Sequence, residues 1–503
     1  MSSNSENIYL LGVDGGTESL RAGIFDLNGT LIASASTAYE TRFPNPGWAE
    51  QDPRDWWRAL ATSVRKAVSE SGLHSEQIAA MAVDTTCCSV VVLDERGEPL
   101  RPCLIWMDMR SAPQTEKVMA TADEALQVNG GGRGPVSAEW MVPKALWVAD
   151  NEPEVFDRAA VICEFQDYIN YHLTGRWVAS INNVSARWHF NRSKGGIPES
   201  LLESLGLTAL VQKWPAEVLD LGDVVGGLTD RASEHLGLAR GLPVIQGGAD
   251  AFIGMIGLGV VKPGSLAFIT GSSHLQLGLS DTPFHAAGIW GTYCDALLPG
   301  MHIVEGGQTS TGSVINWLKN LYGVADYEDL NREAAGLPPG SEGLIVQEHF
   351  QGNRTPHTNP HSRGAIHGLT LKHGRAHLFR AAIEGVSFGS ELILETMRAS
   401  GFEPQRIVMA GGATLSDLWL QIHADVSNLP LTLTEVADAP LLGCAILASI
   451  GCGLNPDVQS AVDQMVKVAR VVDPDPSVHS AYEPFYEAYK ATYGAVLPLR
   501  RDL

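Results

Sequence analysis

The sequence has no run of 18 or more apolar residues, so no membrane-spanning helix is expected. It has no CxxC pair, and seven cysteines are an odd number, which points to a reducing compartment rather than a disulfide framework. Adjacent Cys87-Cys88 read as two buried thiols, with a redox or metal pair as the alternative. There is no low-complexity stretch, and proline and glycine are spread along the chain rather than pooled in a linker. There is no basic excess. With 57 acidic and 35 basic residues the net charge is −22, a field that repels nucleic acid and anionic membranes. A nucleotide must therefore be met by local donors. No GxxxxGK[ST] occurs, which excludes a P-loop. Met1 to Asn7 is polar, without a basic and apolar signal pattern, so a cytoplasmic protein is expected.

What is present suits a globular enzyme: 45% apolar and 18% charged residues. A length of 503 residues exceeds one ordinary core, so two domains are expected. The chain opens as strand 8–13, turn 14–17, strand 20–26, an Asn28-Gly29 hairpin and strand 30–38. Asp52-Pro53 caps a helix running to about Glu70, and 78–83 and 90–93 are buried strands. The pattern partly repeats from Leu242. It runs as strand 244–247, turn 248–250, strand 265–269, turn 270–273 and strand 274–277, then a long helix 375–400, strand 406–410 and helix 416–427. Two α/β halves, 1–245 and 246–503, fit this order.

Four turns carry the chemistry. Asp14-Gly15-Gly16-Thr17-Glu18-Ser19-Leu20-Arg21 places a Gly-rich turn between two strands, where backbone N–H groups face phosphate oxygens. Thr17 and Ser19 add hydroxyls, and Asp14 can hold Mg²⁺ through water. A strand follows, so this is no dinucleotide fingerprint; an ordinary tight hairpin is the alternative. Thr270-Gly271-Ser272-Ser273 is a second such turn, and two in matching positions make a clamp on one polyphosphate. Ala410-Gly411-Gly412-Ala413 leaves room for a base or ribose, or is a generic strand-to-helix turn. Asp250, among Gly247, Gly248, Ala249 and Ala251, can orient and deprotonate a hydroxyl, or cap a helix. Two further segments, 106–110 (Trp-Met-Asp-Met-Arg) and 305–308 (Glu-Gly-Gly-Gln), could hydrogen-bond sugar hydroxyls or form structural ion pairs.

Over nearly its whole length the chain resembles the FGGY carbohydrate kinases. The resemblance rests on Asp14–Arg21, WMDMR (106–110), DYINYHLTG (167–175), GGADA (247–251) and PGSLAFITGSS (263–273). It continues through RGAIHGLTLKHGRAHLFRAAIEGVSFG (363–389) and AGGATLSDLWLQIHAD (410–425). It implies two actin-like, ribonuclease-H-like domains with the active site in the cleft between them, MgATP, and in-line transfer to a primary hydroxyl. The first half would bind sugar and carry the first phosphate turn; the second would carry the base and bind ATP. Asp250 matches the family's base and Asp14 its magnesium-associated acid. Thr17 and Gly271 match the phosphate turns, with Gly16, Glu18, Arg21, Thr270 and Ser272 beside them. Gly312 and Asn316 match the ATP lining, and Gly411, Gly412 and Ala413 the adenosine loop; Ser416 replaces an Asn often found there.

The sugar contacts implied are Asp108, Arg110, Glu139, Arg187, Asp250 and Glu305. VSAEWMVPKALWV (136–148) and VEGGQTSTG (304–312) are similar to the ribulokinase pattern, and Glu305 matches an acid that contacts ribulose. Arg187 stands where ribulokinases commonly carry Lys, which is not an equivalent group. Cys87-Cys88 stands where xylulokinases carry Met-His, which points away from xylulose. The expectation is a ribulose-like pentulose kinase, with xylulose, erythritol or another polyol as alternatives. A non-catalytic sensor and an actin-like ATPase are the other classes. Expected partners are the sugar and ATP, without nucleic acid or membrane; a homodimer stays open.

Overall fold

The computed structural model describes residues 8–128, 134, 136–283 and 285–499. The polar segment Met1–Asn7 lies outside them. The chain divides into two compact units. The first takes Met1–Val261, Tyr293–Ile303 and Asp438–Lys467; the second takes Lys262–Thr292, Val304–Ala437 and Val468–Leu503.

The first unit is built on a six-stranded sheet. Strand Tyr9–Gly15 pairs antiparallel with Ser19–Phe25, which pairs antiparallel with Leu31–Ala38. On its other side Tyr9–Gly15 pairs parallel with Ile78–Thr85, and Pro243–Ala249 adds to that strand in parallel. Helix Pro53–Ser71 lies on this sheet. Its N-cap is Asp52, whose side chain accepts from Arg54 N, and proline sits in its first turn. Trp56, Leu60 and Val64, on one face, are buried among the sheet's Leu11, Val13 and Ile24.

The second unit repeats the pattern. Strand Ser265–Thr270 pairs antiparallel with His274–Ser280 and parallel with Arg406–Gly411, which pairs parallel with Leu431–Thr434. Both units thus carry the ribonuclease-H-like arrangement, an antiparallel hairpin extended by parallel strands. A tight turn joins the hairpin strands in each.

The division expected at residue 245 needs correction. That position falls inside strand Pro243–Ala249, which is hydrogen-bonded into the first sheet, so the first unit continues to Val261 and holds Asp250. The first unit also reclaims Asp438–Lys467. Helix Ala439–Gly451 is buried along most of its length and packs on helix Asp250–Gly257 and strand Tyr9–Gly15. A Cβ on Gly443 would come within 2.2 Å of Ile253 O, so glycine is what allows the two helices to approach so closely.

Candidate active site

In the first unit the turn after Asp14 is fixed from several sides. Gly16 N–H donates to Ser19 O at 3.0 Å, and the Tyr39 hydroxyl donates to Gly16 O. Gln51 Nε2 donates to Thr17 O at 2.7 Å. Trp106 Nε1 donates to Thr17 Oγ1 at 2.9 Å, which leaves the Thr17 proton available to another acceptor. Glu18 is exposed.

Behind the turn lies a group of acids around one guanidinium. Asp14 is fully buried; Arg21 Nη2 donates to its Oδ2, and its carboxyl shares a hydrogen bond with that of Asp84. Arg21 Nη1 donates to Asp438 Oδ2 at 2.6 Å. Asp84 is the register partner of Asp14 across the parallel strands and accepts from Cys444 Sγ at 3.2 Å. Burial pushes the Asp14 carboxyl up despite Arg21, and burial and the neighbouring Asp14 push Asp84 well up. Asp84 and Asp438 were not singled out in the sequence. An acid closing an apolar strand was the available signal for Asp84, whereas Asp438 reaches Arg21 only through the tertiary fold.

Asp250 is the first residue of helix Asp250–Gly257, and Ala249 occupies the N-cap. The capping alternative therefore does not apply. Its Oδ1 accepts from Ala251 N at 2.7 Å. Burial, then the charge of Asp14, push its carboxyl up to about 7, against the opposing pull of the Ala251 N–H and Arg21. A carboxylate poised there can accept a proton at neutral pH. No group of three or more His, Cys, Asp or Glu side chains among the described residues could hold a metal. Asp14, closing strand Tyr9–Gly15 beside the Gly-rich turn, has the carboxylate chemistry for an ion held mainly by water and substrate phosphates rather than by a protein cage.

The expected sugar contacts divide. Asp108 and Arg110 form a buried ion pair at 2.7 Å. Asp108 also accepts from Ala49 N at 2.6 Å, and Arg110 pairs with Glu50 at 2.8 Å and lies 3.7 Å over the Trp48 ring. Protein partners thus occupy Asp108, whereas Arg110 keeps its buried Nη1 without a partner among the described residues. Arg187 is buried, donates to the Tyr293 hydroxyl at 2.8 Å, and faces the Trp140 and Phe252 rings. Glu139 is half-buried. Glu305, in the second unit, is 1% exposed and accepts from Arg354 Nη2 at 2.7 Å.

The second unit contains a cavity of about 500 Å³ lined by Gly271, Ser272, Gly312, Asn316, Gly412, Ala413 and Ser416. Seven of the residues expected to contact nucleotide thus line one space of suitable size. Thr270 and Gly411 do not line it. The Thr270 hydroxyl donates to Ala410 O at 2.7 Å and accepts from Ala413 N at 3.2 Å, so it ties the two turns together instead of facing a ligand. Gly411 has φ 97°, and a Cβ there would stand 1.9 Å from Thr270 O. Gly412 is open, with nothing within 4 Å of its Cβ position. Gly312 N–H donates to Gly271 O at 3.2 Å, and Ser313 N–H to Ser272 O at 3.2 Å, so the start of helix Gly312–Tyr322 grips the second turn. Ser416 caps helix Asp417–Ser427 and donates to Asn331 Oδ1 at 3.1 Å. The walls also include Tyr327, Phe379, Leu415 and Trp419, which had no distinguishing signal in the sequence. Apolar walls with an open glycine floor fit a planar base, and the Gly271-Ser272 turn fits phosphate oxygens.

Comparison with known proteins gives a consistent result. Residues 9–257 match the N-terminal domain, and residues 266–452 the C-terminal domain, of the FGGY family of carbohydrate kinases. The chain is 28% identical to a xylulose kinase of Staphylococcus epidermidis, with 98% of each chain covered. It is 30% identical to a ribulokinase of Shouchella clausii, covering 96% of this chain and 94% of that protein. Among solved structures it resembles a xylulose kinase from Rhodospirillum rubrum with TM-score 0.85 and 29% identity, covering 98% of this chain and 99% of the other.

Proposed function

The chain belongs to the FGGY family of carbohydrate kinases, and we propose that its acceptor is a ketopentose, ribulose ahead of xylulose, phosphorylated on a primary hydroxyl. The observation that carries the catalytic reading is Asp250: a carboxyl pushed up to about 7, with a single backbone N–H as its protein donor. In this reading Asp250 accepts the proton of the attacking hydroxyl. Thr17 and the Gly271-Ser272 turn donate to phosphate oxygens, and Gly412, Ala413 and Ser416 line the adenosine end. Asp14 would hold Mg²⁺ through water. The ion would neutralise charge developing on the transferred phosphoryl group. Glu139 and Arg187 would bind sugar hydroxyls.

Ribulose is supported by the ribulokinase-like segments 136–148 and 304–312 and by the ribulokinase relative. The second reading, xylulose, is supported by the relatives named xylulose kinase. The test is a coupled ADP-release screen over ketopentoses, tetritols, hexuloses and glycerol. The highest catalytic efficiency is expected for a ketopentose, because a matched site left with unpaired polar groups discriminates strongly. Turnover of a tetritol or hexulose with every ketopentose inert would reject the assignment.

A further inference from the structure

The loop after strand Ile78–Thr85 carries adjacent cysteines that the reaction above does not use. Cys87 is half-buried and Cys88 buried. Successive side chains on extended backbone point apart. Cys88 instead has φ 62°, a conformation rare for residues with a Cβ. Its Sγ–H donates to Cys87 Sγ at 3.7 Å. The loop is held at several points. Lys144 Nζ donates to Cys88 O and to Ile105 O, each at 2.6 Å. Glu164 Oε2 accepts from Ser89 N at 2.8 Å, and Thr86 N–H donates to Gly15 O at 2.9 Å. The two sulfurs are thus preset by the fold.

We propose that Cys87 and Cys88 form a dithiol site for a trivalent thiophilic metalloid, an organoarsenical of the type R–As=O, and that its occupation shuts down the kinase. Trivalent arsenic is pyramidal, with S–As–S angles not far above a right angle, so two sulfurs each about 2.3 Å from it, a length like that of a zinc–thiolate bond, stand about 3.4 Å apart. The observed 3.7 Å is close to that spacing, and a small side-chain rotation brings the two sulfurs together. A metal ion would call for further protein ligands, and no group of three or more His, Cys, Asp or Glu among the described residues supplies them. A metalloid that brings its own substituent needs only the pair. Two S–As bonds form, both As–O bonding pairs are released, and the oxygen leaves as water with the two thiol protons; no atom is oxidised or reduced. Cys87 attacks first: the Cys88 S–H, and then the Arg187 charge, hold its thiol below the ordinary range against burial. Burial keeps Cys88 protonated until the second bond forms.

Cys87 lies within electrostatic reach of Arg187 and Asp250, so the adduct would stand beside the acceptor groups. That inhibitory consequence rests on the proposed acceptor site; formation of the adduct does not. The full-length protein is treated with phenylarsine oxide under native conditions and followed by intact mass and by kinase assay. One bidentate adduct is expected, with activity lowered about tenfold or more by the blocked geometry. The dithiol 2,3-dimercaptopropanol reverses it, whereas 2-mercaptoethanol does not. Cys87→Ser and Cys88→Ser each lose the adduct, and each loses sensitivity relative to its own untreated activity. Cys87→Ala serves in place of Cys88→Ser if that variant does not fold. Failure of the wild type to form an adduct overturns the site. So does an adduct that persists in the variants or yields to monothiol. An adduct that leaves turnover intact overturns the inhibition and counts against the acceptor assignment.

Discussion

Asp250 is half-buried, and desolvation and the charge of Asp14 both favour its protonated form. If it is the base, kcat/KM should rise with pH through about 7 and level off above it. Asp250→Asn keeps the shape but cannot take a proton, so turnover should fall by about 10²- to 10⁴-fold with ATP affinity retained. Near-normal turnover in the folded variant would reject the assignment. The same shift makes a prediction about stability. The folded carboxyl holds its proton more tightly than the unfolded one, whose ordinary value is 3.8. Its stabilising contribution is therefore complete below the unfolded value and is lost as pH rises through about 7. Thermal melts should show Asp250→Asn at or above the wild-type Tm at pH values above that midpoint, with the difference shrinking as pH falls below it. The acid itself was legible in the sequence because it stands alone among small residues at a strand end. Its neighbours Asp84 and Asp438 were not, because what makes them part of the group is register and packing.

At the level of elements, the second turn depends on the helix that follows it in space. A Cβ on Gly312 would stand 2.3 Å from Gly271 O, a backbone atom that must move to admit it. Gly312→Ala should therefore displace the Gly271-Ser272 turn and raise KM for ATP about tenfold to a hundredfold, with KM for sugar nearly constant. Titration calorimetry with ATP and a thermal melt separate this from general destabilisation. Unchanged ATP affinity would mean that this turn does not hold phosphate. The hairpins and the long helix Arg375–Ala399 were visible in the sequence, since alternation, Gly-rich turns and 3.6-residue spacing are local properties. The grip of Gly312 on Gly271 was not, because it joins backbones 41 positions apart.

For the whole molecule, a net charge of −22 opposes the approach of ATP, itself an anion. Raising ionic strength from about 10 mM to about 150 mM shortens the screening length from about 30 Å to about 8 Å. At fixed free Mg²⁺, kcat/KM for ATP should rise with salt over this range while that for the neutral sugar stays flat. A fall for ATP would mean that a local positive field, and not net charge, governs its encounter.

The sequence by itself determined the chemistry available at each turn. Gly-rich turns between strands, a solitary Asp250 and ordered family segments are short-range patterns, written in residues that follow one another. Only the tertiary structure decided which of these groups face a ligand and which hold the protein together. Asp108 and Thr270 had the right chemistry, but buried partners already use their hydrogen-bonding capacity. The allotment of Asp250 to the second half failed for a similar reason. Strand pairing and the burial of the apolar helix Ala439–Gly451, not proximity in sequence, assign residues to a core. Burial also set the proton affinity of Asp250, because desolvation depends on every element packed around a group.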